Sequence, residues 1–146
     1  MITITDLTPE HIEPIIRAFL PLWPWRQPAQ ILRKVYQALD PTSGQHMLVA
    51  LDADGRMVAM AAYGTSTLSQ STWNLYMSAT LPEYRGRGIN TRLIEARLAR
   101  IQQTNRSGPA NIMVSTKRVD LFTSMGFSPI APNGVTTLMF RHLGAA

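Results

Sequence analysis

The chain has 146 residues, 45% of them hydrophobic, which is the size of one ordinary domain built on one core. It holds no cysteine, so disulfides, thiolate metal sites and a cysteine acyl-enzyme are excluded. The net charge of +5 is uneven: eight basic residues (Arg85, Arg87, Arg92, Arg97, Arg100, Arg106, Lys117 and Arg118) stand against Glu95 alone in one stretch, and the rest of the chain is slightly acidic.

Met1 to Asp6 carries no basic start followed by an apolar stretch, and the longest apolar run, Met57 to Tyr63, is far short of a bilayer span. The expectation is one soluble, cytoplasmic domain over residues 1–146, with no linker and no membrane partner. The basic stretch reads mainly as a solvated helix face, so a nucleic acid ranks last among the partners considered.

In chain order, Ile2 and Ile4 alternate with Thr3 and Thr5 as a short strand does. Thr8-Pro9-Glu10 then reads as an N-cap with proline at the first helical position. Ile12, Ile15, Ile16, Phe19 and Leu20 fall at helical spacing, although Pro14 deletes a backbone donor and predicts a kinked or late-starting helix. Pro21, Pro24 and Pro28 break that pattern. A second stripe of Ile31, Leu32, Val35, Tyr36 and Leu39 predicts another helix, stopping at Asp40-Pro41.

Met47 to Leu51 and Arg56 to Tyr63 are strand candidates joined by Asp52-Ala53-Asp54-Gly55, whose Asp-Gly pair suits a tight hairpin turn. A third strand, Thr72 to Leu81, alternates: Trp73, Leu75, Met77 and Ala79 share an apolar face, and Asn74, Tyr76, Ser78 and Thr80 a polar one. Leu93, Ile94, Leu98 and Ile101 give the third helix its buried stripe, ended by loop residues Asn105 to Pro109. Asn111 to Ser115 is a short strand, Val119 to Met125 two helical turns ending at Gly126, and Phe127 to Ile130 and Val135 to Leu143 close the chain around Pro132-Asn133-Gly134. This order predicts an α/β domain with one mixed sheet covered by helices.

Pro82-Glu83-Tyr84-Arg85-Gly86-Arg87-Gly88-Ile89-Asn90 links the polar-faced strand to the third helix, where backbone amides and the helix dipole converge. Glycines at 86 and 88 permit positive φ and close backbone approach. Successive N–H groups of Gly86 to Thr91 can then cradle a pyrophosphate, with Arg85 and Arg87 adding charge.

With Arg85, Gly88 and Asn90 in the places of Arg/Gln-x-x-Gly-x-Gly/Ala, the turn resembles motif A of the GNAT superfamily of acetyl-CoA-dependent N-acetyltransferases. Leu81-Pro82-Glu83-Tyr84-Arg85-Gly86 before it, and Ser124-Met125-Gly126-Phe127 near the end, which looks like the family's motif B ending, extend the resemblance over most of the chain. The resemblance implies a mixed, mostly antiparallel sheet flanked by helices on both faces, acetyl-CoA as co-substrate without a metal, and a primary amine acceptor on a small molecule or peptide. A homodimer is a family habit.

It further implies that Thr80 and Leu81 lie along the pantetheine arm and that the Thr80 amide faces the thioester carbonyl, where it would stabilise an oxyanion. Binding both substrates together would supply proximity for direct attack by the amine. An amine with a pKa of about 10.4 needs a base or a water relay to attack, and Tyr76 and Ser78, on the same strand face, are the candidates for organising one. Trp23, Trp25 and Arg26 lie in the loop that often walls the acceptor site in this family. They would hold an aromatic or carboxylate-bearing acceptor, against the alternatives of core anchoring or a dimer contact.

The chain departs from the family pattern at three positions. Asn90 replaces a Gly or Ala and would either crowd the pyrophosphate or cap the helix, the cap being preferred. Phe122 stands where many relatives carry a tyrosine that protonates the departing thiolate. Water or another group then replaces it, or the chain is an acyl-CoA-binding module with little catalysis. Ser115 stands near a family asparagine that touches the pantetheine region, with backbone satisfaction as its alternative role. His11, His46 and His142 read as surface histidines, and the eight methionines as flexible core filler rather than a metal site.

Overall fold

The apolar patterns translate into a mixed sheet and a small set of helices. The computed structural model describes residues 1–105 and 108–144, so Arg106 and the middle of the expected Asn105 to Pro109 loop lie outside the described residues. The strands are β1 (Thr3–Asp6), β2 (Gln45–Leu51), β3 (Met57–Thr65), β4 (Thr72–Thr80), β5 (Ala110–Thr116), β6 (Ser128–Asn133) and β7 (Thr136–Leu143). They hydrogen-bond in the order β1-β2-β3-β4-β5-β7-β6. Helices α1 (Ile12–Pro14), α2 (Pro28–Leu39), α3 (Ile89–Thr104) and α4 (Val119–Ser124) complete the α/β class read from the sequence.

The chain divides into two compact units, Met1–Ala62 with Met77–Arg97, and Tyr63–Tyr76 with Leu98–Ala146. In the first unit, β1 runs antiparallel to β2 from Thr3↔Leu51 to Asp6↔Leu48. The β2–β3 hairpin closes through the Asp52 amide donating to the Arg56 carbonyl at 2.9 Å, and Gly55 turns it at φ 82°. Every β3 residue from Met57 to Gly64 is buried, as a continuous apolar run covered on both faces should be. Ile15, Phe19, Ile31 and Val35 from the helical segments, and Ile89, Leu93 and Ile94 from α3, are buried as well.

The first helix is more broken than a single proline kink. A 3-10 turn at Pro9–His11 leads into α1, a π turn over Ile15–Phe19 follows, and a second 3-10 turn at Leu20–Leu22 ends the stretch. Pro14 and Pro21 each lack the N–H that a continuing α ladder needs, so the hydrogen-bond spacing widens and then tightens around them. His11 corrects its surface reading: it is 7% exposed, and its Nδ1 accepts from the Thr8 amide at 2.9 Å. Burial lowers its pKa from the ordinary value, with Glu10 opposing.

Arg97 is a second correction. A charge on a helix reads as solvated, yet Arg97 is 2% exposed. Its Nη1 donates to the Ala62 carbonyl at 2.9 Å and its Nε to the Leu93 carbonyl at 3.2 Å, so backbone oxygens receive the buried guanidinium.

In the second unit, Thr72–Leu75 of β4 pair in parallel with Asn111–Val114 of β5, while β5–β7 and β6–β7 are antiparallel. Pro129 and Pro132 sit in β6, the edge strand, where missing donors cost no ladder bond. That strand reaches Asn133, beyond its expected end at Ile130. α4 ends at Ser124, Gly126 follows at φ 89°, and the Phe127 amide returns to the Phe122 carbonyl at 3.0 Å.

Candidate functional site

In β4 the alternation holds: Trp73, Leu75 and Met77 are buried, Asn74 and Ser78 exposed, and Tyr76 and Thr80 half-buried. Nothing in the local sequence signals that Met77 sits at φ 50°, the one positive φ outside glycine among the described residues. Such a conformation costs of order 1–3 kcal/mol and persists only where surrounding structure imposes it. Here it interrupts β4 three residues before Thr80.

The Leu81 amide donates to the Val58 carbonyl of β3 at 2.9 Å. Amides alternate between strand edges, so the Thr80 N–H points to the edge away from β3. The Thr80 carbonyl accepts from Arg85 Nε at 3.1 Å, which folds the arginine back over the strand end.

After a 3-10 turn at Pro82–Tyr84, Gly86 and Gly88 take φ of 77° and 76°, the left-handed conformation expected of them. A Cβ added to either would meet nothing within 4 Å, so the space beside each glycine is open. α3 begins at Ile89, with its ladder already closed by the Arg92 amide on the Gly88 carbonyl at 3.1 Å. The Ile89, Asn90 and Thr91 amides precede the first such bond and have no intrahelical acceptor. Asn90 is the second helical residue, which corrects the preferred cap reading: the cap position falls on Gly88.

The arginines of the turn are braced. Arg87 Nη2 donates to the Glu83 carbonyl at 3.1 Å, and its guanidinium lies 4.9 Å above the Tyr84 ring centroid. Tyr84 Oη donates to Asp52 Oδ2 at 2.9 Å, and Arg56 Nη2 pairs with Glu83 Oε1 at 2.9 Å. The sequence reading missed Tyr84, Asp52 and Arg56. Tyr84 lies 32 positions from Asp52, and Glu83 27 from Arg56, and only the hairpin brings these pairs together.

The remaining candidates are placed separately. In the first unit Trp23 is buried at 8% exposure, as a core anchor is, whereas Trp25 is 75% exposed and Arg26 is also exposed. In the second unit Phe122 is buried against Phe127, edge to face at 5.2 Å. Asn133 Nδ2 donates to Ser115 Oγ at 2.9 Å, and Thr136 Oγ1 donates to the Asn133 carbonyl at 2.8 Å. The Ser115–Thr136 hydroxyl bond must then run from Ser115, whose proton is committed. Burial pushes the Tyr76 phenol up to about 12, so it carries its proton throughout the neutral range.

A strand end, two left-handed glycines and a helix start with spare donors stand next to one another, an arrangement that suits an anion. The family model described as acetyltransferase (GNAT) domain matches residues 17–137, and the chain belongs to that family. Among curated proteins, none matches the sequence. Solved structures share the fold. PaiA N-acetyltransferase from Thermoplasma acidophilum, in complex with coenzyme A, is 15% identical with a TM-score of 0.75, over 97% of this chain and 98% of that one. A phosphinothricin acetyltransferase from Sinorhizobium meliloti, in complex with acetyl-CoA, is 18% identical with a TM-score of 0.78, over 98% and 89%. A GNAT-family acetyltransferase from Staphylococcus aureus is 15% identical with a TM-score of 0.78, over 98% and 99%.

Proposed function

We propose that the chain transfers the acetyl group of acetyl-CoA to a primary amine of a small molecule or peptide, by direct attack within a ternary complex. The observation that carries this reading is the Gly86 to Thr91 turn, with two left-handed glycines, open space above them and helix-start amides together. These donors suit a pyrophosphate, and Arg85 and Arg87 are tethered by single bonds to main-chain oxygens, which keeps their charge beside the turn.

The Thr80 amide, on the β4 edge away from β3, is the group we assign to the oxyanion. In the step itself the amine nitrogen bonds to the thioester carbon, the C–S bond breaks, and coenzyme A leaves as thiolate. The amine must lose a proton and the thiolate must gain one. Tyr76 keeps its proton in the neutral range, which suits it to hydrogen-bond donation and not to the base role, and Ser78 is exposed enough to order a water. Water then accepts the amine proton, and, since Phe122 offers none, water also returns a proton to the departing thiolate. Trp25 and Arg26, both exposed, are retained as acceptor contacts, and Trp23 is assigned to the core.

Thiol release from acetyl-CoA, measured across a panel of primary amines, tests the proposal. The expected result is release that depends on one class of amine, with a matching N-acetyl product by mass spectrometry. A specific observation favours one other reading. Phe122 is buried against Phe127 and offers no proton, as in an acyl-CoA-binding module that has lost its acid. Tight acetyl-CoA binding with no acceptor-dependent release would select that module.

A further inference from the structure

The segment leading into the Gly86–Gly88 turn is tied to the β2–β3 hairpin, a part of the fold that takes no part in the proposed chemistry. Asp52 is the hub. Its Oδ1 accepts from the Asp54 and Arg56 amides at 2.9 Å each, which fixes the hairpin turn, and its Oδ2 accepts from Tyr84 Oη at 2.9 Å. Each carboxylate oxygen therefore holds a different segment of the chain.

From this geometry we infer that Asp52 and Tyr84 are positioning residues for the coenzyme: they hold the ring on which the Arg87 guanidinium rests, and so set the pose of the Gly86–Gly88 turn. The inference rests on the proposed acetyl-CoA reading of that turn.

Three further observations converge on the same clamp. Arg87 has the Tyr84 ring below it at 4.9 Å and the Glu83 carbonyl as an acceptor, so its direction depends on where residues 83 and 84 sit. Arg56, one residue past the hairpin glycine, pairs with Glu83 and lies 5.9 Å from the Tyr84 centroid, a second strut between the same two segments. The ionisation of the groups agrees with the contacts. The Arg56 amide and the Tyr84 hydroxyl hold the Asp52 carboxyl below its usual range, and the Asp52 acceptor holds the Tyr84 phenol above its own. At neutral pH the clamp is a phenol donating to a full carboxylate, the stronger kind of hydrogen bond.

A merely structural bond would affect melting and leave the folded protein's coenzyme affinity alone, so affinity is read well below the melting temperature. Tyr84→Phe removes only the hydroxyl, Asp52→Asn removes the charge and puts an NH2 donor in place of one acceptor oxygen, and both keep the shape of the site. Calorimetric titration with acetyl-CoA is expected to show each single variant about five-fold weaker than wild type, and the double variant no weaker than the worse single. KM for acetyl-CoA should rise by the same factor with kcat retained. Amide exchange supplies a readout that needs no ligand. The Tyr84 and Arg85 amides, which donate to the Leu81 and Pro82 carbonyls, are expected to exchange several-fold faster in Tyr84→Phe.

Wild-type affinity in both single variants, or additive losses in the double variant, would overturn the clamp while leaving the acetyl-CoA reading intact. A wild-type protein that binds no acetyl-CoA would overturn the coenzyme role of the pair, and exchange would then show whether the clamp orders the turn at all. Unchanged exchange would remove that too.

Discussion

Gly88→Ala separates what the turn costs the fold from what it does for the ligand. In the free protein an added Cβ at residue 88 meets nothing within 4 Å, so crowding contributes nothing. What remains is the φ of 76°, which an alanine adopts at a cost of about 1 kcal/mol. In a chain of this size that lowers the melting temperature by about 3 °C. Gly134→Ala is the matched control: it has φ 63° and an equally open Cβ, but it sits in the β6–β7 turn. Both variants should therefore melt a few degrees below wild type. If the backbone of the 86–88 turn touches the pyrophosphate, the methyl of Gly88→Ala intrudes only when ligand is present. Acetyl-CoA affinity should then fall by at least about ten-fold, or about 1.4 kcal/mol, while Gly134→Ala keeps wild-type affinity. Differential scanning fluorimetry and calorimetric titration give the two numbers independently. Equal affinities for the two variants would refute close backbone approach at this turn.

Arg97→Met keeps the aliphatic volume of the side chain but leaves the buried Ala62 carbonyl without its 2.9 Å donor, at a cost of about 2 kcal/mol in urea unfolding. A neutral outcome would mean that the carbonyl finds another donor. For His11, burial lowers the folded pKa below the ordinary value, so the unfolded state binds more protons in the window just below that value. Stability should fall as pH drops below about 6.5 toward the lowered folded pKa, and His11→Gln should flatten that slope in urea midpoints taken at pH 5 and pH 7.5. For Tyr76, the raised pKa predicts one tyrosine in an ultraviolet titration that ionises near pH 12, and a fold that weakens from about pH 10 upward. Tyr76→Phe should delete that transition; a full set of ordinary titrations in the wild type would contradict the burial account.

Much of this fold was legible because apolar spacing reports burial directly. The stripe Leu93, Ile94, Leu98, Ile101 became the buried face of α3, and Asp54-Gly55 became the turn of the β2–β3 hairpin. The backbone of the 86–88 turn was legible for a related reason: glycines between a strand and an amphipathic helix need a backbone explanation, and both took the left-handed conformation.

What was not legible depends on partners distant in sequence. Nothing local distinguishes Arg97 from its exposed neighbours on α3, since the carbonyl that receives it belongs to Ala62. His11 is buried by a chain that folds back on Thr8 within one 3-10 turn. The two prolines signalled an interrupted helix, but not that a π turn would fill the interval between them. Tyr84 reads as one more residue of the motif until the hairpin brings Asp52 beneath it. Met77 shows the same limit in the backbone, because a methionine at φ 50° is imposed by its surroundings and has no signature of its own.

The central claim, an acyl-coenzyme A cradle that serves acetyl transfer, is tested most directly by titrating the purified protein with acetyl-CoA beside desulfo-CoA and ADP. The account predicts saturable one-site binding of acetyl-CoA. ADP should retain part of the affinity through its pyrophosphate, and desulfo-CoA should fall between the two. Absence of acetyl-CoA binding by a folded protein, or binding that Gly88→Ala leaves untouched, would contradict it.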